Sequence, residues 1–322
     1  MNLTAILLSG VIGLAQGTLL ILAAPGVVGL LRTIKAQLQL RQGAGVLQPY
    51  RDLFKLLRKP AVRSNATSWI FASTPSVLFV AYSLLVFMVP VVHPATLISG
   101  DFVLAIYVLG LARFSLSLAG LDTGTPFGGL GSSREMFFHF LTEIGLVLVV
   151  VGLMIHWNTI DVQQVFEAHW RLGLGAFFTR PELLLLTLSL ALLVLFESER
   201  IPIDNPSTHL ELTMAHKAIL LEYAGRDLAL VEWAEMIKLT FLLTLLGNLF
   251  LPFPSLLATG AIPVVLWSVP AYGGKMVLLV LLLALWELGQ PKLRLREVVA
   301  PGFTAMLLSL VAIIYTIYTT EG

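Results

Sequence analysis

Apolar runs of bilayer length recur from one end of this chain to the other and leave it little freedom in how to fold. A helix needs about 20 predominantly apolar residues to cross a hydrocarbon core. Runs near that length fall at 4–31, 71–92, 101–120, 136–155, 182–196, 233–253, 262–286 and 302–319. The fifth is short, but Thr179–Pro181 and the region of Glu197 can extend it. Only 12% of the 322 residues are charged, about half the share in a soluble domain. Backbone groups in lipid must be satisfied internally, which restricts spanning segments to helices or closed barrels. The pattern predicts an all-α integral membrane protein, a single polytopic domain over residues 1–322 with about eight transmembrane helices. The first run is too long for a signal-peptide core and no basic region precedes it, so it reads as a retained span.

The loops suggest an orientation. The first carries Arg32, Lys35, Arg41, Arg51, Lys55, Arg58, Lys59 and Arg63, and the third carries Arg134. The fifth carries Arg200, Lys217 and Arg226, and the seventh Lys292, Arg294 and Arg296. The second and sixth carry none, and the fourth only Arg171 and Arg180. Positive-inside bias puts the odd loops in the cytoplasm and both termini outside. Within the first loop, Leu47–Arg58 sets Leu53, Phe54, Leu56 and Leu57 against Arg51, Lys55 and Arg58. That is a short amphipathic helix at the cytoplasmic interface, either a tether to lipid headgroups or a docking surface as well.

Ionisable groups at membrane depth are expensive and are functional candidates by default. The stretch Glu197-Ser-Glu-Arg-Ile-Pro-Ile-Asp204 follows directly on the fifth run, and Glu211, Glu222, Asp227, Glu232 and Glu235 come after it. Pro202 and Pro206 break the helix, and a cytoplasmic helix over about 207–223, capped by Ser207, is predicted next. His209 and His216 on it read as surface residues. Glu143 and His139 are four apart and share a helical face. A zinc site would need a third ligand, and none is near in sequence. Glu143 is either a proton carrier or half of a static pair with Arg113; sequence physics favours neither. Lys238 follows Glu235 by three residues, within pairing distance. Lys275 and Glu287 are about 18 Å apart along a helix, so Lys275 needs a partner from another helix or a wet cavity, as does Arg113. Together these residues imply a hydrated polar line through the interior.

The third loop, 121–135, holds four glycines and Pro126 and is predicted to be irregular. Asp122, Arg134 and Glu135 within it suggest a docking surface; a plain turn is the simpler alternative. No Walker loop, serine-hydrolase motif or His-Glu-x-x-His occurs. Cysteine is absent, so this chain ligates no iron–sulfur cluster through thiolates. No basic, aromatic-interleaved patch for nucleic acid is present.

Several motifs in order resemble those of the membrane-anchor subunit shared by respiratory complex I (subunit 1, the bacterial H subunit) and group 4 membrane-bound [NiFe] hydrogenases. They are Arg41-Gln-Gly-Ala-Gly-Val-Leu-Gln48 with Tyr50–Leu57; Ala119–Phe127 with Gly131-Ser-Ser-Arg-Glu135; Glu197–Asp204 with Leu221-Glu-Tyr-Ala-Gly225; and Lys275 with Trp286-Glu287 and Lys292–Leu295. The second element is similar to the formate hydrogenlyase and hydrogenase-4 component C branch. The resemblance implies a non-redox subunit of an oxidoreductase complex in the cell inner membrane, with no cofactor in this chain. NiFe and iron–sulfur centres would sit in cytoplasmic large and small subunits, and antiporter-like subunits would adjoin it in the membrane. It implies a proton path and coupling loop at Glu143, Glu197, Glu199, Asp204, Glu211 and Glu222, to which Arg113, Lys238, Lys275 and Glu287 add the polar line. It places Arg41, Asp52, Asp122, Arg134 and Glu135 at the cytoplasmic interface, with Lys55 and Arg200 as further docking candidates.

Two departures stand out: Ala44 replaces the proline of a Gly-Pro-Gly turn, and Asn205–Glu211 lacks several of the usual carboxylates. The second leaves open a sodium path, a reduced relay or a purely structural element. The alternatives are a quinone-binding membrane subunit of a complex I-like enzyme and a stand-alone secondary transporter. The transporter is disfavoured by the lack of internal repeats.

Overall fold

The computed structural model describes residues 3–92, 96–198, 200, 214–251, 262–289 and 299–321. The helices among them are α1 (Leu3–Leu38), α2 (Gln48–Leu57), α3 (Trp69–Met88), α4 (Phe102–Asp122), α5 (Pro126–Trp157), α6 (Val162–Phe178), α7 (Pro181–Glu197), α8 (His216–Leu220), α9 (Gly225–Phe250), α10 (Ile262–Gly289) and α11 (Val299–Glu321). Six of them, α1, α3, α4, α5, α10 and α11, contain stretches long and apolar enough to cross a membrane. The sequence reading of about eight spans also included α7 and α9. Helix α7 has 17 residues, and α9 carries Asp227, Glu232 and Glu235 in its first half and Lys238 at its middle.

Helix α9 can hold those charges because it lies inside the bundle. It packs on α1, α2, α3, α7 and α10, and Ala229, Val231, Ala234, Ile237 and Phe241 are all buried. A helix enclosed by protein on all sides need not show lipid a polar or an apolar stripe. The bundle closes around it through the pairings α3–α4, α4–α5, α5–α11, α11–α7 and α1–α10. Helix α1 is 36 residues long, about 54 Å at 1.5 Å per residue, so it exceeds the hydrocarbon core. Its last turns carry Arg32 and Lys35. In α2, Leu53 enters the core while Phe54 points outward, against the expected shared face; the Arg58 guanidinium covers its ring at 4.2 Å.

The glycine-rich third loop is not irregular. Helix α4 runs to Asp122 and α5 begins at Pro126, so most of the stretch is helical. Thr125 caps α5, its hydroxyl accepting from the Gly128 amide at 3.0 Å, and proline suits the first helical turn because its missing N–H has no helical partner there. Here glycine serves close packing: a Cβ on Gly131 would lie 2.9 Å from both the Ala215 carbonyl oxygen and the Ala218 Cβ, on the α8 side. Asp122 accepts from the Ser68 and Phe71 amides at 2.7 and 3.2 Å. It ties the end of α4 to the start of α3.

The expected fourth loop contains α6, which bends at Gly173 (φ 70°). Phe166, Trp170 and Phe177 are buried. Asp101 and Asp161 cap α4 and α6 respectively. Their segments pair back to back, Phe102 N–H donating to Ile160 O and Val162 N–H to Gly100 O. Of the helix expected over 207–223, α8 is the described part; Ser207 and His209 lie outside the described residues. Gly225 (φ 57°) opens α9 where a Cβ would lie 2.1 Å from the Pro60 carbonyl oxygen.

Candidate functional site

The last residue of α7, Glu197, has a fully buried side chain. Burying a carboxylate is costly unless strong partners replace water, and cations from two helices supply them. Arg113 of α4 donates from Nε to Oε1 at 2.9 Å, and its Nη2 lies 2.7 Å from Oε2. Lys238 of α9 stands 4.0 Å from Oε1 of Glu197 and 2.5 Å from Oε2 of Glu235. The Lys238 ammonium also faces the Tyr82 ring at 5.6 Å, a favourable site for a desolvated cation.

The chain of polar groups continues through α5. His139 Nδ1 lies 4.0 Å from Glu197 Oε2, and its Nε2 is 3.0 Å from Glu135 Oε1. The same Glu135 oxygen meets His216 Nδ1 of α8 at 2.9 Å. One largely buried sequence therefore runs His216, Glu135, His139, Glu197, Lys238, Glu235, with Arg113 at its centre. It draws on α4, α5, α7, α8 and α9. Glu135, expected at a docking surface, and His216, read as a surface residue, are both buried.

This arrangement suits proton handling. With Nε2–H donating to Glu135, the His139 Nδ1 lone pair faces Glu197. A gap of 4.0 Å is too long for a direct hydrogen bond but is closed by a small shift or one water. Arg113 Nη1 and the hydroxyl oxygens of Ser117 and Ser132 are buried without hydrogen-bond partners, the kind of groups internal water satisfies.

The remaining sequence candidates scatter. Glu143 is half-buried beside Gly110, where a Cβ would lie 3.5 Å from its Oε1. The postulated Glu143–Arg113 pair does not form, because Arg113 is committed to Glu197. Among the described residues no group of His, Asp and Glu has the makings of a metal site. Glu222 accepts from the Thr125 hydroxyl at 2.6 Å and so supports the α5 cap. Glu287 is bound by Lys35 and Arg200, away from the chain around Glu197. Lys275 is buried on α10. Arg134 donates to the Met214 carbonyl at 2.8 Å, Asp52 accepts from Gln48 at 2.9 Å, and Arg41 and Lys55 are exposed. Glu199, Asp204 and Glu211 lie outside the described residues.

At the open end of α9, Arg63 clamps Asp227 with contacts of 2.7 and 3.1 Å. That hydrogen bonding raises the Arg63 pKa further. Burial raises that of Tyr223, whose ring stacks on Phe71 at 4.2 Å. The first loop is thereby locked to the bundle. Sequence reasoning missed the histidine–Glu135 bridge. Its signals were the four-residue spacing of Glu135 and His139 and a histidine within the segment after the acidic loop.

A family described as NADH dehydrogenase matches residues 11–317. The chain belongs to this family. It is 32% identical to hydrogenase-4 component C of Escherichia coli (strain K12) over 250 residues, 76% of each chain. It is 31% identical to formate hydrogenlyase subunit 4 of the same strain over 287 residues, 88% of this chain and 90% of that one. The H subunit of the NADH-quinone oxidoreductase of Rickettsia typhi (strain ATCC VR-144 / Wilmington) is 28% identical over 272 residues, covering 79% of this chain and 76% of that one. The fold matches a chain of the membrane-bound sulfane sulfur reductase, an archaeal respiratory membrane complex, with a TM-score of 0.77 at 18% identity. That match covers 94% of this chain and 99% of the other. The fold and the relatives thus agree on a membrane subunit of the respiratory and hydrogenase type.

Proposed function

We propose that this family member is the membrane-anchoring and ion-coupling subunit of a hydrogenase-type complex, similar to formate hydrogenlyase and hydrogenase-4. Its basic loops face the cytoplasm of an inner-membrane protein and hold a redox arm of large and small subunits that carry the NiFe and iron–sulfur centres. Antiporter-like subunits adjoin it in the membrane. The relay within it is the buried chain around Glu197, and His139 is its moving part. A proton accepted at Nδ1 from the Glu197 side allows Nε2 to release its own proton to Glu135. Glu143, Glu199, Asp204, Glu211, Glu222, Lys275 and Glu287 are proposed as further coupling groups. Exposed Arg41 and Lys55, with Asp52, Arg134 and Arg200, are proposed to meet the cytoplasmic arm.

The observation that carries this reading is the imidazole of His139 between two buried carboxylates, at 3.0 and 4.0 Å. A Glu135→Gln complex in proteoliposomes tests it, with redox turnover and ion movement measured separately. Retained turnover with a large loss of ions moved per turnover is expected. Unchanged ion movement would remove the relay role from this chain.

A further inference from the structure

Helices α7, α9 and α10 do not close on one another along their whole length. A groove of about 230 Å³ runs between them, lined by Ala191, Leu195, Leu246, Leu282 and Trp286 among other apolar side chains. Apart from the Trp286 indole N–H its only polar lining side chain is Thr187, whose hydroxyl proton goes to the Leu183 carbonyl at 2.8 Å, so the groove offers an occupant little hydrogen bonding. Leu188 and Leu282 are about half exposed along it, which opens it to the side. The lining from Thr187 to Leu195 extends about 12 Å along α7. A helix is about 10–12 Å across and cannot enter so small a space; an extended hydrocarbon chain can.

The end of the groove near Trp286 is chemically different from the rest. The next residue, Glu287, is bound by both Lys35 and Arg200, two cations to one carboxylate among the described residues. Arg200 Nε is also buried without a hydrogen-bond partner. Indole rings favour the headgroup level of a bilayer, and excess positive charge there attracts anionic lipid. We propose that this groove is a lipid site: one acyl chain of an anionic phospholipid lies between α7 and α10, with its phosphate against Arg200 and Lys35 beside Trp286.

The test uses the full chain purified from membranes and reconstituted in phosphatidylglycerol or phosphatidylcholine nanodiscs. It is then washed in mild detergent and examined by native mass spectrometry. Wild-type protein should retain phosphatidylglycerol in preference to phosphatidylcholine. Ala191→Trp and Leu282→Trp fill the groove from opposite walls, and each should lower the retained lipid by about tenfold. Arg200→Gln should abolish the headgroup preference. A second measurement leaves the groove unfilled: phosphatidylglycerol brominated in its acyl chain should quench the Trp286 emission, read as the difference between wild type and the conservative Trp286→Phe. Equal lipid retention by wild type and both tryptophan variants, recovery of a quinone in place of phospholipid, or an unquenched Trp286 would each overturn the proposal.

Discussion

Arg113 and Glu197 face each other across α4 and α7 with contacts of 2.9 and 2.7 Å and side-chain exposures of 3% and 0%. Among the described residues Arg113 has no other carboxylate partner, and without Arg113 the Glu197 carboxylate keeps only the more distant Lys238 at 4.0 Å. Replacing one partner of such a pair costs about 3–5 kcal/mol, whereas replacing both with apolar residues is often neutral. Arg113→Met should therefore sharply lower the melting temperature of the purified protein. Arg113→Met with Glu197→Met should recover most of the loss, since Lys238 keeps Glu235. A double variant as unstable as the single one would show that the pair is not an independent unit.

The proposed relay makes a different demand on His139. Glutamine preserves polarity and much of the volume but cannot carry a proton between Glu135 and Glu197. Proton relay by a positioned side chain is worth about a hundredfold or more in rate. His139→Gln in the assembled complex should leave assembly intact, as judged by gel filtration, and reduce ion movement per redox turnover by that order. Glu143→Gln is expected to weaken coupling less, because among the described residues no ion pair joins Glu143 to the chain.

Much of this architecture could be read from the sequence, because hydrophobic length is a local property. The helices that show lipid a continuous apolar stretch, α3, α4, α5 and α11, fall near the predicted runs. Helix α9 shows the limit: Asp227, Glu232, Glu235 and Lys238 are tolerated only because other helices surround them, and sequence does not state which helices those are. Spacing suggested Glu235–Lys238, but Arg113–Glu197 joins residues 84 apart. Glu135 and His216 were misread for the same reason, since their burial depends on α5 meeting α8. Helix α6 was overlooked because it mixes His169, Trp170 and Arg171 with apolar residues. The length of the supposed loop was itself a clue, since structureless loops beyond about 12–15 residues are uncommon.

Glycines in the first turns of α5 separate close packing from helix propensity. A Cβ on Gly131 would meet the Ala215 carbonyl at 2.9 Å, whereas one on Gly129 meets nothing within 4 Å. Overpacking a fitted contact costs about 1–3 kcal/mol, while replacing a helical glycine that has free space beside it gains up to about 1 kcal/mol. Gly131→Ala should destabilise the protein and Gly129→Ala should be neutral or stabilising, as measured by thermal unfolding in detergent. Gly131→Ala should also weaken the His216–Glu135 contact by pushing α8 away from α5.

His169 provides a pH signature outside the proposed relay. Its Nε2–H donates to the Leu249 carbonyl at 2.7 Å, and burial lowers its pKa from 6.5 to about 4. The folded protein thus holds the imidazole neutral while the unfolded chain protonates it below about pH 6.5. Between these two values the unfolded state binds more protons, so stability falls as the pH falls. Above about pH 6.5 both states are neutral and the contribution is flat; below about pH 4 both are charged and it is flat again. The full span is worth about 3 kcal/mol by linkage. Thermal unfolding from about pH 7.5 to about pH 4.5 should show this loss in the wild type, and His169→Gln should flatten that part of the curve. An unchanged slope in the variant would assign the pH dependence to other groups.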